Sequence, residues 1–376
     1  MTRKLGEMGT FIKGAPLSKA DISDEGTPFI LYGELYTTYS EVTNSVKRKT
    51  DKTVEHQFYS KIGDVIMPTS GETPEDIATA SCIMIPDVIL AGDLLIYRTE
   101  QIDGRFVSFC VKNKVNKQIS SVAQGKSVVH VRAEELSKIS VTFPALDEQQ
   151  KILSLLESID RRIATQQKLI ETLKKYKRGL NRRLLSQIEE SYNCKLGSVC
   201  KIIGGGTPDT LHGEYWGNSV EWFTPSEIGK TKYVNSSVRK LSNEGLSNSS
   251  AKLLPAGTVL LTTRATLGEM SIAEKECSTN QGFQSLIPLT SRVSSEYLYY
   301  MQIIIKPWCE KYSSGNTFRE ISKSALSECI IPVPEKPQQD KIVKLLSTVD
   351  TLIASEEKEA SLLVQLKSSL LQQLFI

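Results

Sequence analysis

The 376-residue sequence has no GxxxxGK[ST] phosphate loop, no HExxH or GxSxG pattern and no CxxC pair. The run Gly204, Gly205, Gly206 lacks the following lysine that would reach a phosphate, so nucleotide cradling has no support. Three histidines, His56, His130 and His212, stand isolated from one another and read as surface or core residues. Seven cysteines (Cys82, Cys110, Cys194, Cys200, Cys277, Cys309, Cys329) are scattered and odd in number, which argues against a disulfide framework or a zinc ribbon. They are expected as reduced, mostly buried thiols. No segment approaches the roughly 18 apolar residues of a membrane span, and "MTRKLGEMGTFIKG" carries no signal-peptide core, so a cytoplasmic chain is expected. A net charge of +3 is too small to attract nucleic acid by itself, and any such contact must come from local patches. With no catalytic signature in view, the chain is not expected to be an enzyme.

What the sequence has is a repeat. "PALDEQQKILSLLESIDRRIA" from Pro144 and "PEKPQQDKIVKLLSTVDTLIA" from Pro334 align without gaps, with 14 identities over the 43 positions that follow each proline inclusively. The identities include Lys151 with Lys341, Leu155 with Leu345, Asp160 with Asp350, Ala164 with Ala354 and Leu180 with Leu370. "KLGEMGTFIKG" from Lys4 likewise matches "KLGSVCKIIGG" from Lys195. Two modules of nearly equal length therefore follow one another, each closed by a helix. The boundaries read as 1–143 and 191–333 for the globular sections and 144–190 and 334–376 for the helices.

Each closing helix carries a heptad seam. Ile152, Leu156, Ile159, Ile163, Gln166, Ile170, Leu173, Lys177, Leu180 and Leu184 step by four and three, as do Ile342, Leu346, Val349, Ile353, Glu356, Ala360, Leu363, Lys367, Leu370 and Leu374. So narrow a seam on a polar helix predicts a coiled coil. The alternative is two amphipathic helices, each packed on its own module. Asp147 and Gln150 suit a capping box at the first start, and Pro337 suits the first turn of the second. Antiparallel pairing with Gln166 opposite Lys367 and Lys177 opposite Glu356 faces every other seam residue of the overlap, 159–184, with an apolar one. That register is expected, because a slip by one heptad would set both lysines against apolar partners. The overlap spans about 39 Å at 1.5 Å per residue, near the ~34 Å turn of duplex DNA, so the pair is expected to act as a ruler.

Both middle sections read as mixed α/β with short strands: "GDVIM" from Gly63, "AGDLLIY" from Ala91, "SVVHVR" from Ser127 and "AGTVLLTT" from Ala256. Polar loops rich in donors and acceptors separate them, of the kind that can meet base edges or phosphates.

The tandem closed by PxxxxQxKIxxLLxxxD helices resembles the specificity subunit of type I restriction-modification systems. "YGELYTTY" from Tyr32 and "GETPEDI" from Gly71 carry the resemblance in the first module. "GGTP" from Gly205, "EYWG" from Glu214, "WFTPSEIG" from Trp222, "TTRATLGEMSIA" from Thr262 and "NQGFQSL" from Asn280 carry it in the second. The resemblance implies two target recognition domains, each reading half of a bipartite, non-palindromic site in double-stranded DNA. It implies an antiparallel coiled coil that spaces them and docks two methyltransferase subunits. It also implies a chain without cofactors, with S-adenosylmethionine on the modification subunits and ATP and Mg²⁺ on restriction (translocase) subunits, in defence against foreign DNA.

Candidate DNA-binding residues in the first module are Tyr32, Glu34, Tyr36, Thr37, Thr38, Tyr39, Thr69, Ser70, Glu72, Arg98 and Arg105; in the second they are Thr207, Arg264, Thr266, Asn280, Gln281, Asn316, Thr317 and Arg319. Arginine can grip guanine in bidentate fashion, and Asn or Gln adenine. For Gly205, Asn280 and Gln281 a structural role stays open, since a motif common to readers of different sites cannot encode the site. From Arg161 to Arg183 the first helix carries nine basic residues against Glu171 alone, whereas the matching stretch of the second has Lys358 and Lys367 against three acids. That face is either solvated or turned to phosphates or an acidic partner. Two other classes remain: a coiled-coil scaffold or interaction protein without direct DNA readout, and part of a fused nuclease-methyltransferase, which the missing motifs disfavour.

Overall fold

The computed structural model describes all residues except 124, 126–127, 316–318 and 376. The chain forms two compact units, Met1–Gln166 with Glu359–Ile376, and Gln167–Lys358. These cut differently from the sequence boundaries, because each unit takes a share of both long helices, Leu146–Ser186 and Lys336–Leu374.

In the first unit the main sheet holds, in chain order, Gly9–Lys13, Val42–Thr43, Asp64–Pro68, Ser81–Ile83 and Leu94–Thr99. They lie side by side as first, fifth, third, fourth, second. In the second unit Cys200–Gly204, Tyr233–Val234, Val259–Leu261, Met270–Ala273 and Gln284–Pro288 adopt the same order. In both, the fourth and second strands run parallel and the other neighbours antiparallel. A second sheet repeats too, Phe29–Leu31 parallel to Ile89–Ala91 in one unit and Glu221–Phe223 parallel to Cys277–Thr279 in the other. The "GDVIM", "AGDLLIY" and "AGTVLLTT" runs form central strands, each buried at its apolar positions. Of "SVVHVR", Val129–His130 is a strand, and Ser127 lies outside the described residues.

The repeated Lys-Leu-Gly has a packing reason. Leu5 and Leu196 are fully buried, with their N–H groups donating to Ile139 O and Cys329 O at 3.0 and 2.8 Å. The following glycine leaves room for a serine: a Cβ on Gly6 would stand 2.7 Å from Ser137 Cβ, and one on Gly197 2.8 Å from Ser327 Cβ. Each module thus closes its own first and last strands, Thr2–Lys4 with Ser140–Thr142 and Asn193–Lys195 with Ile330–Pro332.

The glutamine of each PxxxxQ motif, absent from the expected capping residues, ties its helix to its unit. Gln149 and Gln339 are both 0% exposed. Gln149 Nε2 donates to Pro144 O (2.9 Å), and its Oε1 accepts from Asp103 N (3.2 Å). Gln339 Nε2 donates to Pro334 O and Arg292 O (both 2.8 Å), and its Oε1 accepts from Ser294 N (3.2 Å). Burying an amide is favourable only when its donors and acceptors are met, and here they are met by loop backbone.

Within each unit the shares of the two helices pack antiparallel, as the heptads predict, but in another register. In the first unit Lys367 Nζ bonds Asp160 Oδ1 at 2.6 Å and Arg162 bonds Glu359 at 2.7 Å. In the second Lys177 bonds Asp350, and Lys174 bonds Glu357 at 2.6 Å. The expected register would place Arg162 opposite Leu371, twelve residues or about 18 Å along the axis from Glu359, beyond the reach of both side chains. A one-heptad slip shortens that to five residues, about 7.5 Å, and sets Lys367 beside Ile159 and Lys177 beside Val349. It also brings Leu180 and Leu184 onto Leu346 and Ile342, with which they share a core cluster. The lysines tolerate this by lying along the seam, 17% and 23% exposed, and reaching sideways to an aspartate. Both pairs are one pair made twice, since Lys177 repeats as Lys367 and Asp160 as Asp350.

Candidate nucleic-acid interface

In the first unit the "YGELYTTY" and "SGETPEDI" stretches meet. Tyr36 is exposed, yet its hydroxyl donates to Ser70 O at 2.7 Å, and its ring meets Tyr32 edge-on at 6.4 Å between centroids. Burial of the phenol, then the charge of Asp76, holds its pKa above the ordinary tyrosine range, so the hydroxyl stays a donor. Thr37, Thr38 and Glu72 are exposed on the same corner, Tyr32, Tyr39 and Thr69 half-buried. Thr37 donates to Gly33 O, and Tyr39 accepts from Lys47 N.

Four candidates of this unit are engaged in contacts within its framework. Glu34 is 3% exposed, accepting from Leu31 N at 3.1 Å and pairing with Arg48 at 3.3 Å. Ser70 is buried between Asp93 and His130. Arg98 spends its Nε–Nη2 edge, one of two that could grip guanine, on Asp64, and Nη2 also reaches Tyr59 O at 2.6 Å. Arg105 binds Asp103 through Nε and Nη2 and Glu157 through Nη1, joining the start of a helix, Gly104–Asn113, to the first long helix. Residue type alone cannot tell an occupied guanidinium from a free one.

In the second unit all but one of the quoted motifs converge on one corner. Gly206 N donates to Thr279 O (2.9 Å), Trp222 Nε1 to Gly206 O (3.0 Å), Asn280 N to Phe223 O (3.1 Å), Thr263 N to Gly282 O (2.8 Å) and Thr266 Oγ1 to Pro225 O (3.2 Å). Gly205 is required here by contact, since a Cβ would fall 2.0 Å from Asn280 O. Asn280 Oδ1 accepts from Gly282 N at 2.9 Å, closing its own turn, which favours its structural role. Thr207 donates to Gln281, both at the surface end of the corner. Arg264, 42% exposed, pairs with Glu320 at 3.0 Å. Beside it Ala265 has φ 55°, a left-handed conformation that costs an alanine about 1–2 kcal/mol and that nothing in the sequence announces. Arg319 is exposed, and Asn316 and Thr317 lie outside the described residues. The corner presents hydroxyls, an amide and the Arg264 guanidinium, the equipment for hydrogen-bonding base edges and phosphates.

Sequence reasoning missed two features of this unit. Leu211 and Val238 are 91% and 88% exposed. A cleft holding Lys232 and Tyr300 opens against the first long helix. Among the described residues no group of three or more His, Cys, Asp or Glu could hold a metal ion, and no helix is long and apolar enough to cross a membrane.

The model of the family described as "Type I restriction modification DNA specificity domain" matches residues 1–175 and 188–364. The chain belongs to this family. The "Type I restriction enzyme MjaIX specificity subunit" of Methanocaldococcus jannaschii is 36% identical over 186 residues, 48% of this chain and 43% of that relative. The alignment thus covers less than half of that relative's length. The EcoR124I/EcoR124II specificity subunit of Escherichia coli is 28% identical over 237 residues, 58% of this chain and 57% of the relative. Among solved structures, the S subunit from M. genitalium aligns over 100% of this chain and 96% of its own, with TM-score 0.57 and 18% identity. A chain solved in work on complex assembly of the type I R-M system aligns over 100% and 97%, with TM-score 0.65 and 20% identity. At such identities these two likenesses speak for the fold alone.

Proposed function

We propose that this chain is the DNA-reading subunit of a type I restriction-modification complex, without catalytic residues of its own and working in the cytoplasm. One observation carries the reading. A single strand order is used twice, and on it the short helix that bears Tyr36 and Thr37 and the turn that bears Glu72 in one unit differ in sequence from the segments that bear Thr207, Arg264 and Gln281 in the other. A duplicated scaffold with unlike polar corners fits two unlike half-sites, hence a bipartite, non-palindromic target in double-stranded DNA. The paired helices would set the gap between half-sites and dock two methyltransferase subunits, which would bring S-adenosylmethionine. ATP and Mg²⁺ would enter with restriction subunits.

The test is long-read mapping of methylated adenines in cells with and without the chain. One bipartite motif should vanish on deletion. A methylation pattern that does not change would favour a coiled-coil scaffold and end this reading.

A further inference from the structure

The second unit contains a cleft of about 960 Å³ between its shares of the two long helices, the loop at 229–232 and the helix Gln302–Tyr312. One wall is preorganised. Lys232 Nζ lies 4.7 Å from the Tyr300 ring centre and 5.1 Å from that of Tyr233, 3.2 Å from Tyr300 Oη and 3.5 Å from Glu296. Tyr300 Oη donates to Asp350 at 2.7 Å, and Asp350 also holds Lys177. Burial, then Asp350, pushes the Tyr300 pKa far up, so this hydroxyl remains a donor.

Four lining lysines are neutralised locally: Lys174 by Glu357, Lys177 by Asp350, Lys232 by Glu296 and Lys306 by Glu269. Arg178, Arg182 and Lys230 remain, exposed and without an ion pair among the described residues, against the single carboxylate of Glu310 in the same position. Arg178 and Arg182 stand about one helical turn apart, about 6 Å along the axis, close to the roughly 6.8 Å that two phosphate steps rise on one strand. Lys230 lines the same cleft from a different segment of the chain. The repeat supplies an internal control, because the positions matching Arg178 and Arg182 in the second helix are Ser368 and Gln372. The first unit has no such charge there.

We propose that this cleft clamps the phosphate backbone of duplex DNA without reading sequence, so that the second unit supplies a salt-sensitive share of the affinity for which the first unit has no counterpart at the matching positions. This rests on the DNA-reading function above. Each phosphate neutralised adds about 0.9 to the slope of log affinity against log salt. Three cations therefore account for a slope of roughly 2.7, or about 40-fold between 50 and 200 mM salt.

The experiment uses the full chain assembled with its methyltransferase subunits and a fluorescent duplex carrying the mapped motif, titrated at a series of KCl concentrations. In the Arg178→Gln, Arg182→Gln, Lys230→Gln variant the slope should fall by two to three, while the preference for the motif over a half-site-scrambled duplex stays as it was. All three side chains are exposed, so the melting temperature serves as the folding check. An unchanged slope overturns the clamp, and if co-purification of the methyltransferase subunits is lost at the same time, the face belongs to a protein partner. A changed motif preference also overturns it. A wild-type complex that shows no motif at all sinks the DNA reading itself, a failure visible before any variant is made.

Discussion

Replacing Gln339 by leucine should loosen the second unit while leaving the first intact. The side chain is fully buried and makes three bonds to backbone: to Pro334 O, to Arg292 O and from Ser294 N. Leucine keeps the volume and removes all three. The buried Pro334 carbonyl then costs about 2 kcal/mol, the two partly exposed groups about 0.5–1 kcal/mol each, and leucine's apolar surface returns about 1 kcal/mol. The net loss is about 2–3 kcal/mol, or roughly 30- to 150-fold in a local opening equilibrium. Gln149→Leu loses two bonds, so about 1–2 kcal/mol is expected in the first unit. Denaturant melting of a chain with two units yields no single free energy, so amide hydrogen exchange is the assay, with Ser294 and Asp103 as local reporters. Gln339→Glu should be worse than leucine at neutral pH, because a carboxylate would face two carbonyl oxygens. Protection at Ser294 within threefold of wild type in Gln339→Leu would refute the clamp.

Cysteines placed at Leu173 and Ile353 should cross-link efficiently on mild oxidation, as the slipped register requires; failure to do so returns the seam to the register expected from the heptads. Arg98→Gln strips a nearly buried partner from Asp64, 4% exposed, and should cost about 3 kcal/mol with no change in the methylated motif. Arg264→Gln should cost under about 0.5 kcal/mol and act on the motif; the reverse pattern in a thermal melt and methylation map would show the two arginines misassigned. Burial pushes the thiols of Cys82, Cys110, Cys200, Cys277, Cys309 and Cys329 up to about 12. The unfolded chain releases these protons first as pH rises, so stability is full below about pH 8.5 and falls above it, by up to about 1.4 kcal/mol per pH unit for each thiol. Native alkylation at pH 8 should mark only Cys194, which is half-buried; rapid labelling of the other six would contradict the packing.

Local pattern was enough for the tandem, the heptads and the central strands, because each is encoded within a few neighbouring residues. Strand order was not legible. The parallel pairing of Val42–Thr43 with Ser81–Ile83 rests on two residues per strand brought together over some forty positions. The partners of the arginines were not legible for a related reason. Arg98 is claimed by Asp64, 34 positions away, a partner that no window reveals. Arg105 could have been read better, since Asp103 two residues earlier is the N-cap of its helix and accepts from Arg105 N at 2.9 Å. The heptad alone predicts polar breaks that face one another, whereas a lysine stem long enough to leave the seam needs only an acid beside it.

The internal repeat separates folding from function more sharply than either half could alone. Where the copies agree, the structure finds a mechanical reason: Gln149 with Gln339 as clamps, Leu5-Gly6 with Leu196-Gly197 under a serine, Lys367 on Asp160 with Lys177 on Asp350. Each lysine also crosses an aromatic ring, Phe109 at 5.8 Å in one unit and Tyr300 at 5.4 Å in the other. At that ring the copies part. Phe109 stacks on Phe375 and closes an apolar core, while Tyr300 offers a hydroxyl that binds Asp350 and supports Lys232. One oxygen atom thus marks the place where the same lysine–aspartate pair ends a core in the first unit and floors a basic cleft in the second. Tyr300→Phe should preserve the fold, since phenylalanine already fills the matching position, yet release Lys232 from its fixed place. If the clamp works through a preorganised wall, this variant weakens DNA retention at low salt more than it lowers the melting temperature. Equal retention in the variant would mean that the exposed cations act alone.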